Sequence, residues 1–232
     1  MKIMNFFGDK KTETDPTKPI GAPGTAVWGG YVETNEKNSK LVGSNRYTTY
    51  SEILANVTIV AAGVRYYLNL VGKSTWSVVP ADDSEQAKEY AEIIEKQMDI
   101  MDTSWSRIVK RTAMARFHGF SIQEWVAFKK DGIIFFKDVA PRPQQTIERW
   151  DVDEAGYVLG VGQTNPQNGE ELYLPRERII YLVDDSLSDS PEGLGLFRHL
   201  TAAADRLRRF EQLEGYGFET DLRGIPVGRA PL

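Results

Sequence analysis

Residues 190–198, which read SPEGLGLFR, decide the fold because they form a stiff turn that opens directly into a long helix. Proline and glycine in this turn fix the direction of the chain, and residues 194–216 then carry apolar side chains at helical intervals. The apolar stripe consists of Leu196, Leu200, Ala203, Ala204, Leu207, Phe210 and Leu213. A stripe of this kind is typical of a helix with one buried side, so we expect it to pack on the preceding part of the chain.

Upstream of this turn, apolar and polar residues alternate as they do in β-strands. The predicted strands are residues 121–129, 133–139, 146–152, 157–163 and 178–183. Asp131-Gly132 and the segment 153–156 are typical of hairpin turns, because aspartate and glycine accept the backbone angles that tight turns need. The pattern predicts a compact antiparallel β unit.

Three helices are predicted before the strands. The first spans 49–72, where Thr49 and Glu52 have the spacing of a capping box. The second spans 84–101 and the third 104–117, which ends before Gly119, a residue that tolerates a left-handed cap. Helices followed by strands and one long final helix predict an α+β fold.

Residues 1–48 are predicted to form an extended N-terminal arm, since they are rich in proline and glycine and show no sustained periodicity. Trp28 and Tyr31 are too apolar for a pure linker. We expect these two side chains to dock on a neighbouring subunit.

Composition excludes several classes of protein. The 232 residues include no cysteine, which excludes disulfides, thiolate metal sites and a cysteine nucleophile. The formal net charge of -5 argues against an ordinary nucleic-acid binder, because such proteins carry a basic surplus. Apolar runs are broken by charge or glycine before a bilayer is spanned, so no membrane partner is expected.

Catalytic chemistry finds little support in the residue pattern. His118 and His199 are the only histidines, and they are too far apart in sequence to indicate a zinc site by spacing. The strand carboxylates Glu124, Glu148 and Asp151 keep open an alternative, a carboxylate-dependent hydrolase with a glycosidase-like acid pair. A further alternative is a monomeric binding module whose aromatic residues line a groove. We expect no catalytic, cofactor-binding or metal-binding residues.

Several short sequence segments, which occur in the same order along the chain, resemble phage portal proteins, in particular the branch related to the portal of Mu-like phages. The segment 119–125, GFSIQEW, resembles the family's step from a helix into a strand of the wing domain. The segment 190–198 is similar to its Ser-Pro-x-Gly turn that opens a long helix. The segment 224–228, GIPVG, looks like the step that follows that helix.

The resemblance implies a domain division and a function. Residues 1–48 would be the arm, 49–189 a wing-like α+β domain, 190–223 the first stem helix and 224–232 the truncated start of the clip. Such a subunit is structural and forms a ring, commonly a dodecamer, at one capsid vertex of the virion. The ring is a conduit for double-stranded DNA during packaging and ejection, without sequence-specific binding. Expected partners are the terminase large subunit, the head-tail adaptor and the major capsid protein.

Six residues are candidates for the ring interface or the channel surface. Two lie in the arm and four are cations of the last helix: Trp28, Tyr31, Arg198, Arg206, Arg208 and Arg209. A solvated helix face explains the arginines equally well, because exposed ion pairs contribute little. Replacing Leu207 or Phe210 by aspartate is predicted to disrupt the packing of the last helix.

Overall fold

The protein is described by a computed structural model that covers residues 21–33, 36–130, 132–184, 189–224 and 228. Within these residues the architecture is α+β, as expected from the sequence, with six α-helices and three small antiparallel sheets. Residues 1–20 and 34–35 of the predicted arm and residues 225–227 and 229–232 of the predicted clip start lie outside the described residues.

The described part of the predicted arm contains a short hairpin. Strands β1 (Val27–Trp28) and β2 (Tyr31–Val32) pair around a glycine turn, and a 3-10 helix follows at Ser39–Leu41. Val27 and Val32 pack against the main hydrophobic core, because their side chains alternate with the exposed Trp28 and Tyr31. This stretch is therefore folded onto the rest of the chain.

The first predicted helix is in fact two helices, α1 (Asn45–Asn56) and α2 (Thr58–Gly72), bent by 95° at Val57. Val57 is extended and its side chain is buried with Ile53 and Ala204. Tertiary packing accounts for the break, because α1 lies along the last helix while α2 turns away to pack on α4. In the described part of the chain no single helix is long and apolar enough to cross a membrane, although α1 and α2 together would pass on length and composition.

Helix α3 (Glu85–Ile100) begins where the sequence predicts, with Ser84 accepting a hydrogen bond from the backbone N–H of Ala87. The third predicted helix is divided at Met114 into α4 (Trp105–Ala113) and α5 (Ala115–His118). Gly119 ends α5 with a φ of 106°, a region that favours glycine.

Two three-stranded sheets replace the single β unit that we expected. The first contains β3 (Phe120–Lys130), β4 (Ile133–Arg142) and β8 (Ile179–Val183) in the order β4-β3-β8. The second contains β5 (Ile147–Val152), β6 (Val158–Thr164) and β7 (Glu171–Pro175) in the order β5-β6-β7. All five predicted strands are present within a few residues of their predicted bounds, and β7 is an additional strand.

The main core lies where the two sheets, α1 and the start of the last helix meet. Trp150 of the second sheet packs edge-on against Phe120 of the first, with 5.0 Å between ring centroids. Tyr50 of α1 contacts Phe197 of the last helix at 5.6 Å. Six of the thirteen buried residues of this core are aromatic, and the core joins the sheets and helices into one body.

The last helix, α6 (Leu196–Arg223), has 28 residues and is therefore about 42 Å long. Its buried face is Phe197, Thr201 and Ala204, and every described residue from Arg209 onward is exposed. The predicted burial of the Leu207–Phe210 stripe is wrong, because the side packed on the body is rotated from it by about a quarter turn. Phe210 is 68% exposed, so the Asp variants at these positions are not expected to unfold the single chain.

Candidate functional site: the joint between body and long helix

The turn 190–195 leads from the body into α6, and its backbone crosses that of Gly119 at the end of α5. We call this crossing, formed by Gly119 and residues 190–195, the joint. Gly119, Gly193 and Gly195 all have positive φ, at 106°, 57° and 66°. A Cβ on any of them would lie within 3.0 Å of backbone atoms of the other turn, a separation that real Cβ atoms do not reach.

Hydrogen bonds to β8 and α5 satisfy polar backbone groups on both sides of the crossing. The N–H of Asp184 donates to the carbonyl of Gly119 at 2.6 Å, and the N–H of Gly119 donates to Ala115 at 2.8 Å. The hydroxyl of Tyr181 donates to the carbonyl of Pro191 at 2.6 Å. Because polar backbone groups at the crossing are paired in this way, the two turns lie in contact without leaving these groups unsatisfied.

Glu192 connects the joint to the body through a largely buried ion pair with Arg46 of α1. Their side chains are only 11% and 15% exposed, and the indole N–H of Trp150 donates to the same carboxylate at 3.4 Å. Burial opposes the charge of Arg46, but Tyr47 and Glu192 outweigh it, so the pKa of Arg46 is raised. Removal of one partner would leave the other charge buried and uncompensated.

The first turn of α6 inserts Phe197 into an aromatic pocket of the body. The pocket is formed by Tyr50, Phe117 and His118, whose ring centroids lie 5.6, 5.6 and 5.1 Å from that of Phe197. Burial lowers the pKa of His118 to about 4, and a smaller effect from the backbone of Met114 opposes this. His118 is therefore a neutral packing residue at pH 7, whereas His199 is exposed.

Two of the four predicted interface arginines contact their own chain. Arg198 pairs with Glu36 at 2.6 Å, and Arg208 donates to the carbonyl of Glu52 at 3.0 Å. Arg206 and Arg209 are exposed, and no ion pair involves them among the described residues.

The two predicted aromatic candidates lie apart from these arginines, on the hairpin. Trp28 is 72% exposed, and its indole N–H donates to Glu33 at 3.3 Å. Tyr31 lies under the guanidinium of Arg149, at 5.7 Å from the ring centroid. The structure thus separates the six candidates into a hairpin group and a helix group.

The strand carboxylates do not converge on a catalytic pair. Glu124 is ion-paired with Arg142 in the first sheet, and Asp151 of the second sheet accepts a hydrogen bond from Tyr173 at 2.8 Å. Glu148 is exposed. In the part of the chain that the structure describes, no three histidine or acidic side chains come together as ligands for a metal ion.

An open cavity of about 480 Å³ lies beside the joint. Its charged lining includes Arg46, Glu192, Arg198 and Glu36, which form the two ion pairs described above. Charges that are already neutralised by a neighbour hold the fold together and are poor candidates for binding an ionic ligand. The cavity therefore belongs to the structure of the joint.

The sequence predicted the turn at 190–195 but not its contact with Gly119. Gly119 was expected only to cap a helix, and Glu192 was not singled out. The spacing of Gly193 and Gly195 was a usable signal, since two glycines so close together allow another backbone to approach.

A family model described as the portal protein of Mu bacteriophage matches residues 47–204, more than half of the sequence. No curated protein matches the chain. Among solved structures it is similar to the neck of an empty gene transfer agent particle computed with C6 symmetry, with a TM-score of 0.53 and 10% identity. The alignment covers 74% of this chain and 46% of that one, so this chain spans about half the length of the structure it resembles, and the likeness shows the fold alone.

Proposed function

The chain belongs to the family of Mu bacteriophage portal proteins, and we propose that it is a ring-forming structural subunit at one vertex of the capsid. The observation that carries this proposal is a long helix that leaves the body at the joint with most of its apolar stripe uncovered. A rod that stands out from a compact body in this way is suited to lie beside identical rods around an axis.

The domain division that we propose follows the joint. Residues 49–189 form the wing and 190–223 the first stem helix, with 1–48 as an arm and 224–232 as the start of the clip. The contact of α1 with the first half of α6 supports this division, because it leaves the second half of the helix outside the body. The hairpin at 27–32 is the part of the arm that rests on the wing.

In this role the ring is a conduit for double-stranded DNA during packaging and ejection, commonly with twelve subunits. It would dock the terminase large subunit and the head-tail adaptor, and its wing would contact the major capsid protein. The net charge of -5 supports passage of DNA without tight or sequence-specific binding, because an acidic chain does not gain from phosphate neutralisation. Its place would be the virion, after assembly in the host cytoplasm.

No enzymatic step is proposed for the chain. Of the three carboxylates on which a hydrolase would depend, Glu124 and Asp151 are engaged separately in the two sheets and Glu148 is exposed. Catalysis by such a pair requires two carboxyls that face one substrate.

Negative-stain electron microscopy and light scattering of the purified full chain test the proposal. We expect closed rings with a central hole and a mass that is a whole multiple of 26.2 kDa. A chain that stays monomeric over a wide range of protein and salt concentrations would contradict the proposal.

A further inference from the structure

Helix α2 is apolar around most of its circumference, but the single chain covers only one side of it. Val64 is buried, while Ile59, Tyr66 and Leu70 are exposed on the other side, Tyr66 at 69%. Arg65 is the one charged residue between Thr58 and Gly72. A helix that is apolar all round belongs in an interior, so the exposed side of α2 lacks a partner within the described residues.

The centre of this exposed side is flat. Ala62 and Gly63 lie between Ile59 and Tyr66 at helical spacing, both are exposed, and a Cβ on Gly63 would meet nothing within 4 Å. Small residues between large ones allow another element to approach the helix axis closely. The shape of α2 therefore fits a packed partner better than a solvated face.

The uncovered stripe of α6 continues the exposed side of α2. Ile59 at the start of α2 and Leu207 of α6 line the same cleft at the α1–α2 bend, and Phe210 follows Leu207 one turn along α6. We call the surface formed by Ile59, Tyr66, Leu70, Leu207 and Phe210 the α2–α6 face. Its α2 part and its α6 part meet at this cleft, through Ile59 and Leu207.

The size of the α2–α6 face is that of a protein interface. A buried aromatic side chain removes about 150–250 Å² from water, so these five residues leave on the order of 500 Å² of apolar surface exposed. The largest apolar patch on a typical monomer is about 300–600 Å² and is often a functional surface. A stable interface buries about 800 Å² on each partner, so this face would form most of one side.

Charge at the edge of the face favours a copy of the same chain as its partner. Arg206 and Arg209 are exposed beside the stripe and form no ion pair in the described residues. Helix α3 of the same sequence carries five carboxylates and two lysines and is largely exposed. A second copy therefore offers an acidic surface to these arginines, and two different patches on each subunit are what a closed ring requires.

We infer that the α2–α6 face is the surface on which each subunit receives a second copy of this chain. The inference rests on the proposed function and adds the location of the contact. It assigns the contact to α2 and the middle of α6, and it places Arg206 and Arg209 at the rim of that contact.

A single introduced thiol tests the inference, because the sequence contains no cysteine. Ala62→Cys places the thiol at the centre of the face, and Gln167→Cys places a matched thiol on the exposed 165–169 loop. Maleimide labelling rates are measured on the assembled and monomeric fractions of each variant. We expect labelling of Ala62→Cys to be at least about tenfold slower in assemblies than in monomers, and labelling of Gln167→Cys to be equal in both.

An assembly assay gives an independent readout. Tyr66→Asp should reduce the assembled fraction about tenfold or more, because it would bury an unpaired carboxylate, while Tyr157→Asp, at a residue that is 70% exposed outside the face, should not. Circular dichroism checks that both variants are folded.

The outcomes separate the inference from the proposed function. Rings that form normally with Tyr66→Asp and leave Ala62→Cys freely reactive overturn the inference and leave the portal role intact. Protection of Ala62→Cys in the monomeric fraction also overturns it, since another part of the same chain would then cover the face. A wild-type chain that never assembles overturns both.

Discussion

Replacing Gly119 by alanine tests whether the joint depends on backbone contact. The substitution places a Cβ within 3.0 Å of the carbonyl oxygen of Glu192, at a φ of 106° that L residues rarely adopt. Backbone strain at positive φ costs about 1–2 kcal/mol, and overpacking against a rigid neighbour adds about 1–3 kcal/mol. We therefore expect a loss of about 3 kcal/mol in the free energy of unfolding.

Thermal unfolding followed by circular dichroism measures this loss. For a chain of this length, 1 kcal/mol corresponds to about 2–4 °C in Tm, so Gly119→Ala should lower Tm by about 6–12 °C. Gly169→Ala is the matched control, because Gly169 also has a positive φ, 73°, but a Cβ there meets nothing within 4 Å. The control should lose only the strain of about 1–2 kcal/mol, which corresponds to about 2–8 °C. Equal losses in the two variants, at the same protein concentration, would refute the reasoning that contact at the crossing matters.

Three further predictions concern the body around the joint. Glu192→Leu should cost about 3–5 kcal/mol by leaving Arg46 buried and unpaired, and adding Arg46→Met should recover most of this in a double-mutant cycle of urea unfolding. Phe197→Ala should cost about 3–5 kcal/mol, whereas Phe210→Ala should change the stability of the monomer by less than about 0.5 kcal/mol, as compared by urea midpoints. Because burial lowers the pKa of His118 to about 4 in the folded chain, the unfolded state takes up this proton first. The free energy of unfolding should therefore decrease as the pH is lowered from about 6.5 toward 4. His118→Phe should make this part of the curve of unfolding free energy against pH flatter.

Local signals in the sequence predicted most elements but few of their partners. Aspartate and glycine at 131–132 and 153–156 mark hairpins whatever packs on them, so β3, β4, β5 and β6 were found. Strand β7 was missed because its middle residues, Leu172 and Tyr173, are exposed edge positions that do not alternate cleanly, and proline ends it. The division into two sheets depends on pairing across the chain, which no local pattern specifies.

The helices show the same limit. The apolar stripe runs without interruption through Val57, where no glycine or proline signals a break, so the bend was not predictable from periodicity. In α6 the pattern placed Leu200 and Ala204 correctly on the packed side, but it also assigned Leu207, Phe210 and Leu213 to that side, and these three are exposed. Phe197 and Thr201 face the body, and Thr201 satisfies its buried hydroxyl by donating to the carbonyl of Phe197 at 2.9 Å.

Only some of the contacts of the candidate residues could be predicted from the sequence. Arg198 was a candidate for contact with another subunit, but its partner is Glu36, on a segment that only the folded chain brings close. Trp28 and Tyr31 are exposed as a docking role requires, and that role remains a prediction.

The crossing of Gly119 with Gly193 and Gly195 is a contact between backbones, so no side-chain rotamer can relax it. Together with the Glu192–Arg46 ion pair and the buried Phe197, this contact limits the tilt of α6. In a closed circle of identical copies every angular deviation is repeated once per copy, and the total appears as a gap or a clash where the last copy meets the first. In the ring that we propose, the contact between the two turns would limit this angular deviation within each subunit and so favour closure.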